Sequence, residues 1–543
     1  MGHYDVIIIG GGHNGLVAAA YLAAAGLTVK VVERQPVVGG AAVTEEFHPG
    51  FRNSVASYTV SLLSPKIIAD LELPVHGLRI VDRKVQNLLP LPDGRALRMH
   101  PDPAATRAEV ARFSARDADR LGAFGERLDR IADIVRRLWL KTPANPGRGL
   151  GGWLPALEAA GLAYGLDRES QRDLLELIGS SAGDLLDRWF ESEPLKAVLG
   201  FDSVVGNYGS PYSPGSAYVL LHHVVGEVNG RRGGWGHAVG GMGAITQAMA
   251  RSVAARGGEI ETGVAVARVL TERGQVGRGQ VGRATGVVLA DGRVLRARAV
   301  VSNLNPKLLF RDLVDPAAVP ADFAARMAAW RCRSGTFRMN VALDRLPEFT
   351  AAPNRDGTDH LTAGIILAPS LGYMDRAYAD ARALGWSREP IVELLIPSTL
   401  DDTLAPPGGH VASLFCQHVA PDLPDGRSWD EARDTVADLM LDTVERYAPG
   451  FKASVLGRQV LSPLDLERRF GLIGGDIFHG SLALDQLWAA RPTLGFADYR
   501  TPVAGLYQCG SGTHPGGGVS GAPGHNAARE ILQDFRWGRV AQA

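Results

Sequence analysis

Cysteine is scarce in this chain: Cys332, Cys416 and Cys509 are the only three in 543 residues, and no two lie close in sequence. Such spacing supports neither a disulfide framework nor a zinc pattern, and the lack of any CxxC pair argues against thiol–disulfide reductase chemistry. A surplus of one charge is missing too. With 57 basic and 58 acidic residues and a net charge of −1, no global field favours nucleic acid or another polyanion. No apolar run reaches the about 18 residues of a membrane span, and a β-branched run already starts at Asp5, leaving no room for a signal or transit peptide before it. The expectation is a soluble, cytoplasmic protein. There is no HExxH, and His222-His223 are neighbours in a predicted helix, where side chains point about 100° apart. No metal site is expected.

Glycine, by contrast, is plentiful at 66 residues, as suits a backbone that must approach a cofactor closely. Asp5-Val6-Ile7-Ile8-Ile9 breaks into Gly10-Gly11-Gly12-His13-Asn14-Gly15 and then an apolar stretch from Leu16 to Ala25. This reads as strand, glycine turn, helix. Gly10 takes the tight turn, Gly12 lets a pyrophosphate approach the backbone, and Gly15 lets the helix pack close on its strand. The free N–H groups and positive dipole end of the helix then face an anion. Leu27 to Val32 reads as the next strand, closed by Glu33 where a carboxylate would accept hydrogen bonds from ribose hydroxyls, with Arg34 beside it. A second glycine pair, Gly39-Gly40, followed by Ala41-Ala42, is out of place in a plain NAD fold. It suits a longer dinucleotide continuing over this loop, which points to FAD.

Further along, a helix is predicted from the capping sequence Ser114-Ala115-Arg116-Asp117, with Leu121, Phe124, Leu128, Ile131, Val135 and Leu138 at helical spacing. Arg120, Arg127, Arg130, Arg136 and Arg137 decorate its other faces, as either a solvated face or a membrane-surface helix that feeds in a lipophilic substrate. Other helices are predicted over 154–165, 169–190 and 215–226. Gly240-Gly241-Met242-Gly243 leads a helix from Ala244 to Arg256, then a strand from Glu259 to Val269. Two copies of GQVGR (274–278 and 279–283) read as an expanded hairpin loop before a strand at 285–289. Arg298 to Ser302 is a strand ending at Asn303-Leu304-Asn305-Pro306, as an inner strand ends near a ligand. Strands alternate with helices over 307–470. The chain then returns to a strand, Gly505 to Cys509, a loop from Gly510-Ser511 through Gly518-Val519 to Gly521, and a helix from about Pro523 to Asp534. A helix N-terminus aimed at the edge of a reduced flavin would stabilise its negative charge.

The N-terminal VIIIGGGHNGLVAAAYLAAAGLTVKVVERQPVVGGAAVTEE, the middle GGMGAITQAMARSVAARGGEIETGVAVARV with VVSNLNP, and the C-terminal HGSLALDQLW with LYQCGSGTHPGGGVSGAPG resemble the phytoene desaturase family of FAD-dependent oxidoreductases over nearly the whole length. The resemblance implies an α/β fold: a Rossmann-like FAD-binding domain of the glutathione-reductase type, an inserted α+β substrate domain with a mixed sheet, and a helical lid. The corresponding divisions are 1–100, 236–306 and 471–543 for the FAD domain, 101–235 for the lid and 307–470 for the substrate domain. It also implies non-covalent FAD, with the backbone of Val266 facing the adenine and Gly510 to Gly521 against the ribitol and flavin. Two departures stand out: Ala41-Ala42 where many relatives carry Arg or Lys, and Gly510-Ser511 where many carry Gly-Asp.

The chemistry implied is desaturation, saturation or isomerisation of an apolar, polyene-like substrate, with O₂ or a quinone as electron acceptor. His514 is the candidate acid or base, its other reading being a loop histidine that satisfies neighbouring backbone. His479 is a second candidate of the same kind, and Tyr58 lines the flavin face or serves as packing. The alternatives are an amine oxidase, for which Tyr499, Tyr507 and Lys307 form no obvious cage, and a flavin-stabilised scaffold acting through a partner protein.

Overall fold

The computed structural model describes residues 3–145, 149–276 and 280–540. Its first sheet is built around the strand His3–Ile9, in which Val6, Ile7 and Ile8 are fully buried. A run that is apolar on both faces is what a parallel strand covered by helices requires. The strand order is Glu259–Glu261, Val29–Val32, His3–Ile9, Val294–Ser302, Gln280–Leu289, Val266–Val276, and Leu506–Gln508 joins Val294–Ser302. The inner pairings are parallel, including the one that recruits residues 506–508. Segments from the start, middle and end of the chain thus share one sheet.

The predicted strand 259–269 is two pieces in the structure. Gly263, at φ 78°, turns the chain between Glu259–Glu261, which pairs with Val29–Val32, and Val266–Val276, which enters an antiparallel hairpin. The hairpin tip within the duplicated GQVGR, residues 277–279, lies outside the described residues.

A second seven-stranded sheet runs Val455–Leu461, Phe337–Leu343, His410–Val419, Trp386–Leu395, Gly364–Leu367, Asn87–Pro90, Ala96–Met99. It is mixed, with Gly364–Leu367 and Asn87–Pro90 parallel and the other pairs antiparallel. Residues 87–99, expected with the first part of the dinucleotide domain, pair here instead. The short hairpin has too little apolar surface of its own and finds it at the edge of the larger sheet. The helix Trp429–Tyr447 covers one face of this sheet.

Helices from Ala115 to Val224 cap the molecule. In Ala115–Trp139, Ser114 Oγ accepts from the Asp117 N–H at 3.1 Å, and Phe124, Leu128, Ile131 and Val135 are buried. Several of its arginines serve as internal fasteners. Arg127 is buried between Asp173, at 2.8 Å, and Glu176, while Arg136 donates to the carbonyls of Val224 and Val225 at 2.9 Å. The stretch 169–190 forms two helices, Arg168–Gly179 and Ala182–Trp189. The break falls where Ser181 Oγ accepts from the Asp184 N–H and starts a new N-terminus.

Candidate active site

The glycine turn forms as the spacing requires. Gly10 has φ 93°, and a Cβ on Gly15 would lie 2.4 Å from the Gly10 carbonyl oxygen, so only glycine lets the helix His13–Ala24 meet its strand this closely. A Cβ on Gly12 would strike Asn303 Nδ2 at 2.6 Å. That asparagine follows the strand Val294–Ser302, so the middle segment reaches the turn directly. The C-terminal segment reaches it too. Asn14 Nδ2 donates to Ser511 Oγ at 3.1 Å, and the helix Ala522–Arg536 crosses His13–Ala24 so closely that a Cβ on Gly524 would lie 2.2 Å from the Asn14 carbonyl.

These segments line an open cleft. Gly10, Gly12, His13, Glu33, Arg34, Gly39, Gly40, Ala41, Val266 and Ser511 all line it. Glu33 accepts from the Gly11 N–H at 2.7 Å and from the Gln35 N–H at 2.8 Å, which leaves lone pairs for sugar hydroxyls. Asn14, Gly15, Ala42, Gly510 and Gly521 do not line the cleft but shape it. The Ala42 carbonyl accepts from Thr246 Oγ1 at 2.9 Å, Gly510 packs on the Asn303 carbonyl, and Gly521, at φ 75°, precedes the last helix. The sequence reading missed Arg469, which lines the mouth of the cleft, receives Arg34 Nη2 on its carbonyl at 2.9 Å and pairs with Glu45. Arg34 and Arg469 thus bring positive charge to a wall where Ala41-Ala42 has none.

A second space opens from the cleft at His13, Ala41, Leu472, His479 and Ser511. Gly518 and Val519 line it, with Tyr58, Leu62, Val205, His223, Trp235, Ile477 and Phe478 among the rest of the wall. Among the described residues no charged side chain faces this space. Its imidazoles are neutral as well: burial pushes His13 down to about 3, helped by His479, and pushes His479 and His223 down to about 4.

Arg491, wholly buried, positions the junction. Its Nη2 donates to the carbonyls of Phe478 and Ser511, each at 2.7 Å, and its Nε to that of Thr513 at 3.2 Å. The loop that carries His479 is thereby tied to the loop that carries Ser511.

His514 is not brought to either space. Its Nε2 faces the Leu138 carbonyl at 3.2 Å and its own carbonyl accepts from Tyr499 Oη, so packing against the lid helix turns the ring away from the cleft. His479 instead lines both spaces. Tyr499 and Tyr507 are buried in the dinucleotide domain, Tyr507 donating to Asp534 at 2.9 Å, and Lys307 lines neither space. Among the described residues no group of three or more His, Cys, Asp or Glu is placed to hold a metal. Among them, too, no helix is long and apolar enough to cross a membrane.

The residues present fit FAD: a cleft with bare glycines on its floor, the Glu33 carboxylate on its wall with lone pairs to spare, and an adjoining apolar space. His479 Nδ1, buried without a partner, belongs to a residue on the wall of both spaces.

Comparison with known proteins agrees. Residues 8–68 match the NAD(P)-binding Rossmann-like domain and residues 80–336 the flavin containing amine oxidoreductase family. The pyridine nucleotide-disulfide oxidoreductase domain-containing protein 2 of Rattus norvegicus is 44% identical over 98% of this chain and 94% of its own length. A limonene dehydrogenase chain of Castellaniella defragrans is 26% identical over 98% of this chain and 95% of its own. Among solved structures, a cofactor-binding redesign of putrescine oxidase superposes with a TM-score of 0.59 at 16% identity, covering 98% of this chain and 99% of that one. That likeness is one of fold.

Proposed function

We propose, for a chain that belongs to the FAD-dependent oxidoreductases of the amine oxidase and phytoene desaturase-like superfamily, and to the family of pyridine nucleotide-disulfide oxidoreductase domain-containing protein 2, that its substrate reacts at C–H or C=C bonds of an apolar skeleton. Bound non-covalently, FAD supplies a hydride acceptor or donor at its isoalloxazine ring. The chain's own residues bind, orient and exclude water. The glycine turn and the N-termini of the helices His13–Ala24 and Ala522–Arg536 offer N–H groups to the dinucleotide, Glu33 offers its carboxylate to the ribose, and Asn14 with Ser511 closes the junction.

The observation that carries this reading is the uncharged wall of the inner space, lined by Leu62, Val205, Leu472, Ile477, Phe478 and Val519 with neutral imidazoles between them. An ammonium substrate entering it would be desolvated with no carboxylate on the wall to meet it, at a penalty of several kcal/mol. A relative named for limonene, a hydrocarbon, fits the same chemistry.

Anaerobic bleaching of the purified yellow protein tests the proposal. Isoprenoid and terpene compounds are expected to reduce the bound flavin, and a panel of primary and secondary amines is not. Bleaching by amines alone would replace this reading with amine oxidation.

A further inference from the structure

One stretch of the inner wall is polar, and it is built from behind. Tyr58 Oη donates to Glu393 Oε2 at 2.5 Å. Its ring stacks on Phe415, with centroids 5.1 Å apart and planes 22° from parallel, and the Arg338 guanidinium carbon lies 4.6 Å from the ring centroid. Glu393, Arg338 and Arg83 are all buried. Arg338 Nη1 and Nη2 donate to the Leu414 carbonyl and Ser413 Oγ, and Arg83 Nη2 donates to Thr59 Oγ1 at 2.7 Å while its guanidinium carbon lies 5.8 Å from the Trp235 ring. The carboxylate and the second guanidinium fit side by side because residue 364 is glycine. A Cβ there would fall 2.4 Å from Glu393 Oε1 and 3.0 Å from Arg83 Nη1.

This arrangement sets what the phenol can offer. A phenol has one hydrogen, and Tyr58 has committed it to Glu393, so only oxygen lone pairs remain for a ligand. A carbonyl or ether has no hydrogen to give them. An ammonium has, but it would give up its hydration in a space whose wall carries no charged side chain. A hydroxyl has the hydrogen and no charge.

We infer that the molecule taken into the inner space is an alcohol, an apolar skeleton carrying one hydroxyl whose hydrogen is received by Tyr58 Oη. This rests on the apolar-skeleton reading above and deepens it. Tyr58, with Glu393 as its positioning residue, then fixes which end of the skeleton lies away from the dinucleotide cleft.

Binding rather than turnover tests it. The FAD-loaded protein is titrated with geraniol, with geranial as the carbonyl counterpart and with myrcene as the hydrocarbon, following perturbation of the flavin absorbance and calorimetric heat. Geraniol is expected to bind about tenfold more tightly than either of the others, as one uncharged hydrogen bond in a dry site provides. In Tyr58→Phe, judged by an unchanged flavin content, the three affinities converge. Equal affinities in the wild type, tighter binding of geranial, no binding of any probe, or a geraniol preference that survives Tyr58→Phe would each overturn the inference. The wild-type comparison decides even where the variant fails to fold. Bleaching by isoprenoids with equal binding of the three probes removes only the hydroxyl, whereas bleaching by amines alone removes the reading beneath it.

Discussion

A single methyl group decides whether residue 15 can stay where it is. Alanine there would place Cβ 2.4 Å from a backbone oxygen, and because backbone rather than a flexible side chain is in the way, strand and helix must separate. We expect Gly15→Ala to destabilise the protein by about 1–3 kcal/mol and to release FAD on gel filtration. A variant that elutes fully yellow with unchanged melting would refute this. The same residue shows why this part of the site was legible in the sequence: the needs of Gly10, Gly12 and Gly15 are met within one strand, turn and helix. His514 and His479 show the opposite. Each is a histidine beside glycine-rich sequence, and nothing local says that one ring turns to the Leu138 carbonyl while the other faces both spaces. Glu393 and Arg338 were equally silent, because a charged residue in a strand acquires meaning only from its neighbours across the sheet.

At the scale of elements, the crossing of His13–Ala24 by Ala522–Arg536 holds the site together. Gly524 lies at the contact, under the Asn14 carbonyl. Valine at this position is expected to part the two helices, break the bond from Asn14 to Ser511 and lower FAD occupancy at least tenfold, with helical content by circular dichroism nearly unchanged. Full occupancy in Gly524→Val would show that the crossing is not needed for the cofactor. Periodicity foretold the longest helix well: Ala115–Trp139 carries its apolar residues where helical spacing puts them. It failed at interruptions. Ser181 reads as an ordinary helix residue until it is seen capping the next one, and Gly263 ends a strand that its neighbours would continue. The hairpin of strands 87–90 and 96–99 carries no mark of the sheet it joins, since the strand that receives it, Gly364–Leu367, lies far later in the chain.

For the whole molecule, buried imidazoles set the response to acid. Burial lowers His13 and His418 to about 3 and His223 and His479 to about 4, against 6.5 in an exposed chain. Between those values only the unfolded state takes up the proton, so their contribution is complete above about pH 6.5 and is lost as the pH falls through 4. Asp202 and Asp476, raised by burial to about 7 and about 6, act in the opposite sense but are fewer. The melting temperature of the FAD-loaded protein is therefore expected to drop between pH 6.5 and 4, and a flat profile over that range would contradict it. The convergence of three remote segments on one dinucleotide could be anticipated because each segment carries its own glycine signature. How they meet follows from the sheet, in which Leu506–Gln508 lies beside Val294–Ser302 and the final helix lies over the first. That geometry has a bearing on biosynthesis. The pocket for the coenzyme gains its last wall only when residues 511–536 have been made and have packed against the turn at residues 10–15, so the N-terminal segment by itself offers an incomplete site.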